Sequence, residues 1–390
     1  MKYDFDQVLS RTELSTSKWE QEIARLNRPD LLAFGTADMD FRSAEPIVEA
    51  LTATARRGHF GYPFKPQSYY EAIIGFCARR FGWQIQQEWI SGATGVYAAW
   101  NAVVERLSEP GDEIIFQTPA HHIFNESILA MGRVPVENPL IVRDGKYELD
   151  LEGLEKVITA RSKLMLLCNP HNPTGRVWTF EELSALQALC LRHGIVMVTD
   201  EIYAGLVHRE HTFTPAASIS SAASNNTITL TSASKTYNTT GLKHALVIIE
   251  NPELRQAYFQ GQQRSNMYYG GSLFGHVATE FALRDCDDWN EQLVEYIEGN
   301  VAYASQALAR LFPKATVYQP ESTYFLWVDM SAYAESSTAL LQCIEQRLGV
   351  TITSGHTLGT GGDRHIRINL GCPRVQLEQA VMRIEQTMLA

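Results

Sequence analysis

Five short apolar runs recur through the middle of the chain, at 113–117, 164–168, 195–199, 228–231 and 245–249, and helical patterns separate them. Runs that are apolar on both faces must be covered on both faces, which a parallel sheet between two layers of helices provides. The clearest helical pattern is 181–193, where Leu183, Leu186, Leu189 and Cys190 form one stripe and Thr179 is placed to cap the start. The expected fold class is therefore α/β, with a mostly parallel sheet sandwiched by helices. In open sheets of this kind ligands gather beyond the carboxyl ends of the strands, so the loops there are where chemistry is to be sought.

Flanking segments read differently. Residues 1–35 are mixed and polar, with Trp19, Ile23 and Leu26 at helical spacing. A loop at 36–41 carries Asp38 and Asp40. A helix is expected from Glu45-Pro46 to near Gly58, because proline suits a first turn, and another over 68–81. Beyond about residue 285 the alternation gives way to a long helix at 289–312, strands at 324–328 and 365–369, a helix at 338–348 and a last helix from Val375. The expected division is an N-terminal segment at 1–45 packing on a small α+β domain at 286–390, with a large domain at 46–285.

A net charge of −11 argues against a phosphate-backbone partner, and no basic run suggests nucleic acid. No apolar run approaches a membrane span, and Met1-Lys2-Tyr3-Asp4 does not open a signal peptide. Six scattered cysteines lack CxxC spacing and read as reduced thiols of a cytoplasmic protein. No metal-ligand cluster is evident, since adjacent His121 and His122 are expected to point apart.

Four loops and one lysine could carry chemistry, and each has an ordinary alternative. Gly92-Ala93-Thr94-Gly95-Val96-Tyr97 opens a helix with small residues, exposing N–H groups that suit a phosphate or merely a tight turn. Asn169-Pro170-His171-Asn172-Pro173-Thr174-Gly175 would hold an amide side chain rigidly at a strand end. Asp200, directly after an apolar run, is either a helix cap or the partner of a buried cation. Arg367 lies in strand-like alternation with Asn369, as a carboxylate clamp or a surface ion pair. Lys235, in Thr231-Ser232-Ala233-Ser234-Lys235, follows a strand into a crowded corner where an amine can be desolvated, or else it is solvated.

In this order the motifs NPHNPTG, DEIY, SASK and RIN resemble the fold-type-I pyridoxal-phosphate enzymes of the aminotransferase class I/II superfamily. TADMDF at 36–41, Gly61-Tyr62, CNPHNPTGRVW at 168–178 and GCPR at 371–374 look like its cystathionine β-lyase-like C–S lyase branch, the MalY/PatB type. The resemblance covers nearly the whole chain. It implies that Lys235 holds pyridoxal 5'-phosphate covalently and later acts as base at the substrate Cα–H. It further implies that Asp200 pairs with the pyridine nitrogen, and that Asn172 and Tyr203 bond the phenolic oxygen. Thr94, Gly95, Val96, Ser232 and Ser234 are then phosphate donors, with Tyr62 reaching the phosphate of a neighbouring subunit in a homodimer with shared sites. Arg367 would take the substrate carboxylate, near Asp38 and Tyr324. His121 stands where this branch carries a ring-stacking tyrosine, and Tyr203 where its lyases carry histidine.

The activity so implied is α,β-elimination from a cysteine S-conjugate, giving pyruvate, ammonia and a thiol. Transamination of an amino acid uses the same residues and is the alternative, as is a specialised biosynthetic elimination or replacement.

Overall fold

A computed structural model describes residues 2–10, 15–267 and 270–389. Its main sheet holds β1 (Ile90–Ala93), β2 (Glu113–Thr118), β3 (Val134–Pro139), β4 (Ser162–Cys168), β5 (Val196–Asp200), β6 (Thr227–Thr231) and β7 (Ala245–Ile248). The strand order is β1-β7-β6-β5-β4-β2-β3. β7 runs antiparallel to both neighbours, and the remaining pairs are parallel.

Strand alternation divides the core. Ile114, Phe116, Leu164, Leu166, Val198 and Ile228 enter one apolar cluster, while Ile115, Met165, Leu167 and Met197 enter another across the sheet. All five expected strands form. β1 and β3 were not anticipated, and both lie at the sheet edges. Only four residues long, β1 includes Ser91 and Gly92, while β3 carries two prolines, which an edge tolerates because one side needs no ladder bonds.

The helices that bear on the site are α1 (Glu45–Arg56), α2 (Gln67–Phe81), α3 (Val96–Leu107), α4 (Phe180–His193), α5 (Pro252–Arg264), α6 (Leu273–Asp285), α7 (Asp287–Leu311) and α8 (Arg374–Leu389). α4 starts with a reciprocal cap: Glu182 N–H donates to Thr179 Oγ1 at 3.2 Å, and Thr179 N–H donates to Glu182 Oε2 at 2.8 Å. Its expected stripe is buried. The α7 stripe Leu293, Ile297, Val301, Ala304 and Leu308 is buried as well.

A second, antiparallel sheet has the order β8 (Thr316–Tyr318), β9 (Phe325–Asp329), β11 (His365–Asn369), β10 (Thr353–Ser354). The helix expected at 338–348 forms as an α segment, Ser337–Gln342, continued by a π turn, Cys343–Leu348. Leu32–Ala33 pairs in parallel with Val350–Thr351, so the N-terminal segment crosses to this side. Asn369 Nδ2 then donates to the carbonyls of Thr36 and Asp38, at 2.6 and 2.7 Å, which lays the loop over the carboxyl ends of the main sheet.

Candidate active site

A cavity of about 330 Å³ opens beyond the ends of β4, β5 and β6, where the strand ends, the N-terminus of α3 and the N-terminal loop meet. β6 breaks at Ser232 because that side chain caps a single helical turn, Ala233–Thr236. Ser232 Oγ accepts from Ser234 N–H at 3.1 Å and donates to the His244 carbonyl at 2.7 Å, so its one proton is committed in this arrangement. The turn presents Lys235 to the cavity, where Nζ donates to the Ala37 carbonyl at 2.6 Å. Burial lowers the Lys235 ammonium to about 8, and Arg367 pushes the same way, while Asp38 and Asp200 oppose. A buried amine so poised is a competent nucleophile near neutrality.

Asp200 closes β5 and faces the same cavity. Its Oδ1 accepts from Ile202 N–H at 3.2 Å, and burial pushes the carboxyl up to about 6, with that bond and Lys235 opposing. Asn172 lines the cavity from a loop knitted by a His171 Nδ1 to Thr174 Oγ1 bond of 2.8 Å and a Trp178 Nε1 to Cys168 carbonyl bond of 2.9 Å. Tyr203 closes the floor, edge-on to Tyr324 and Phe325 with ring centroids 5.9 and 5.6 Å away. Burial raises its phenol well above the ordinary value.

Thr94, Gly95 and Val96 line the other end. Gly95 precedes α3, a twelve-residue helix with no side-chain cap, and a Cβ added there would meet nothing within 4 Å beyond its chain neighbours. Uncapped N–H groups and the helix dipole there favour a bound anion. Ser234 lines the wall as well.

His121 is part of the wall, and burial lowers it to about 3, so the ring is neutral at physiological pH. The expectation that His121 and His122 point apart fails: their rings stack, with centroids 4.6 Å apart and 23° between planes. His122 is already helical, and successive side chains in a helical turn diverge by far less than the 180° of a strand. No group of three or more metal-type ligands occurs among the described residues.

Arg367 stands just behind Asn172. Its Nη1 donates to Asn172 Oδ1 at 2.8 Å, and its Nη2 donates to the Gly35 carbonyl and Thr353 Oγ1 at 3.1 and 2.9 Å. The guanidinium lies 4.1 Å over the Phe325 ring and is 4% exposed. Its Nε has no acceptor, and no carboxylate pairs with it among the described residues. Asp38 faces an adjoining cavity of about 210 Å³ that shares Thr240 with the first. Burial raises its carboxyl, and Lys18 and Lys235 pull it back. Tyr324 is fully buried behind Tyr203, whereas Tyr62 is 83% exposed and lies outside the cavity wall of its own chain.

Two contributors escaped the sequence reading. His244 lines the cavity, with Nε2 2.8 Å from Tyr69 Oη. Asn238, three residues after the lysine, donates to the Met39 carbonyl at 3.1 Å and to that of Phe41, pinning the Asp38 loop over Lys235. An asparagine just past a helical turn is a recognisable left-handed signal, and Asn238 has φ +56°.

The family described as "Aminotransferase class I and II" matches residues 29–384. The chain belongs to that family. It is 35% identical to cystathionine beta-lyase PatB of Bacillus subtilis over 383 residues, covering 98% of this chain and 99% of the relative. Protein MalY of Escherichia coli is 31% identical over 381 residues, 97% of each chain. Among solved structures, cystalysin of Treponema denticola, which contains a pyridoxal 5'-phosphate cofactor, superposes with a TM-score of 0.95 at 27% identity, over 100% of this chain and 99% of that one. In this family setting the main sheet and the small antiparallel sheet are the fold-type-I arrangement. No helix among the described residues is long and apolar enough to cross a membrane.

Proposed function

We propose that this protein is a pyridoxal-phosphate-dependent C–S lyase, cleaving a cysteine S-conjugate such as cystathionine to a thiol, pyruvate and ammonia. The observation that carries it is the buried Arg367 guanidinium, held without a carboxylate partner among the described residues, beside a buried amine of lowered pKa. A buried cation left without an anion is costly unless a ligand supplies one.

The cavity's donor set fits the cofactor. Lys235 offers an amine for covalent attachment, Asp200 a carboxylate for the ring nitrogen, and the α3 N-terminus N–H groups for a phosphate. Asn172 and Tyr203 would bond the ring oxygen, Ser234 would assist at the phosphate while Ser232 braces the turn that carries it, and His121 would stack on the ring. When bound, pyridoxal phosphate supplies an electron sink for the pair left on Cα.

The chain's own residues do the rest. Arg367 binds the α-carboxylate and turns the Cα–H toward Lys235. The Lys235 amine would take the Cα proton, the Cβ–S bond would break with its electrons on sulfur, and the thiolate would leave. Asp38 faces the adjoining cavity rather than the reacting carbon, and Tyr324 supports the Tyr203 ring from behind. Water then converts the unsaturated amine to pyruvate and ammonia, so atoms balance without an oxidant. Lys235 is shielded by the loop that Asn238 pins, which limits stray protonation.

The relatives named cystathionine β-lyase support elimination over transamination. With L-cystathionine and no keto acid, the holoenzyme is expected to release pyruvate, ammonia and thiol in equal amounts. Amino transfer appearing only on addition of a keto acid, with no pyruvate, would sink the lyase reading.

A homodimer with shared sites belongs to the same proposal. Phe60, Tyr62 and Phe64 are 60, 83 and 85% exposed in one short segment, an apolar concentration suited to a second copy. Tyr62 would then reach the partner's cavity. Sedimentation should give twice the 43.8 kDa chain mass, and a monomer at micromolar concentration would remove that role.

A further inference from the structure

Asn172 and Arg367 touch across 195 residues of sequence, one on a loop of the main sheet and the other on a strand of the small sheet. Something must hold these two pieces in register. The Asn172 loop continues into Gly175-Arg176-Val177, and this stretch is stitched to Glu321-Ser322. The Gly175 carbonyl accepts from Glu321 N–H at 3.0 Å and from Ser322 Oγ at 2.9 Å. Gly175 has φ +73°, and an added Cβ would sit 2.5 Å from that of Pro320, so the approach demands glycine.

At the centre of the seam lies a buried ion pair. Glu321 Oε2 accepts from Arg176 Nη1 and, at 2.8 Å, from Val177 N–H; Oε1 accepts from Lys146 at 2.6 Å. Arg176 also places Nη2 on both oxygens of Glu182, at 2.8 and 2.9 Å, and Nε on the Tyr147 carbonyl at 2.7 Å. Arg176 and Glu321 are each 6% exposed. Glu321 stands shortly before β9, in which Phe325 lies under the Arg367 guanidinium and Trp327 is the ladder partner of Arg367. Through these contacts the carboxylate joins the Asn172 loop to the strands that carry the guanidinium.

We propose that Glu321 and Arg176 are positioning residues for the substrate carboxylate, fixing the Arg367 guanidinium against Asn172 by locking the loop to the small sheet. This rests on the reading of Arg367 as the carboxylate clamp. Neither residue lines the cavity. Their effect passes through Arg367, because an error of about 1 Å in a clamp can cost about a hundredfold in a productive pose.

The test compares binding of L-alanine and L-alaninamide to the holoenzyme, followed by the change in the cofactor's absorption. The parent should prefer the carboxylate ligand. Glu321→Gln should reduce that preference about tenfold, leaving alaninamide affinity unchanged. Arg176→Lys, which keeps the charge but loses the fork, should move it the same way and serves if Glu321→Gln does not fold. In an Arg367→Lys background, adding Glu321→Gln should change the preference no further. A preserved preference in both single variants, or an undiminished further loss in the Arg367→Lys background, overturns the proposal. A parent with no preference at all would instead overturn the Arg367 reading, and the proposal with it.

Discussion

Lys235→Ala is expected to lose both the visible absorption of covalently held cofactor and at least about 10³-fold of turnover, because one side chain supplies the attachment and the base. The fold should survive. Lys235 Nζ donates to the Ala37 carbonyl, and removing the side chain deletes a buried ammonium rather than stranding one. Far-UV circular dichroism should therefore match the parent. The lowered lysine pKa gives a second readout that does not depend on turnover. Attack on the cofactor aldehyde needs the neutral amine, so covalent capture by the apoprotein should rise about tenfold per pH unit and level off above about 8. An unperturbed lysine would keep climbing to about 10.4. Survival of the visible band in the alanine variant would defeat the cofactor assignment at this residue, whatever the activity did.

The parts of this architecture that could be read from sequence are those where burial is enforced on both sides. β2 and β4 have no solvent face, so their apolar runs show plainly. β1 and β3 lie at the edges, where Ser91, Gly92 and two prolines are tolerated and the pattern fades. A similar contrast applies to the cavity. Asp200 ends a strand of the main sheet and Lys235, Asn172 and Tyr203 each follow one within a few residues, so a shared sheet brings them to one cavity. Arg367 sits one layer further out, and its burial removes the surface ion pair as an explanation. What sequence could not give was any pairing across long separations. The Arg176–Glu321 bond spans 145 residues, and charged residues of that kind look like ordinary surface in a linear pattern. The His121–His122 stack depended on a local turn that extended geometry does not produce.

Arg367→Ala should raise KM for L-cystathionine by about 30-fold or more, corresponding to the 2–5 kcal/mol typical of truncating one side of a buried charge pair. Part of that loss comes from the parent's own interior. Asn172 Oδ1 and Thr353 Oγ1 lose a donor, so the loop facing the ring loses a restraint as well. Arg367→Lys separates the two contributions. A lysine retains the charge but cannot span Asn172, Gly35 and Thr353 together, and its recovery should be partial. If the arginine acts on the carboxylate, the alanine variant should handle cystathionine and its α-carboxamide with similar KM, since the group that told them apart is gone. If it merely braces the fold, both substrates should weaken in proportion and thermal stability should fall alongside. A KM within about threefold of the parent's would show that the guanidinium is buried for packing over Phe325, and the carboxylate site would have to be sought in the adjoining cavity beside Asp38.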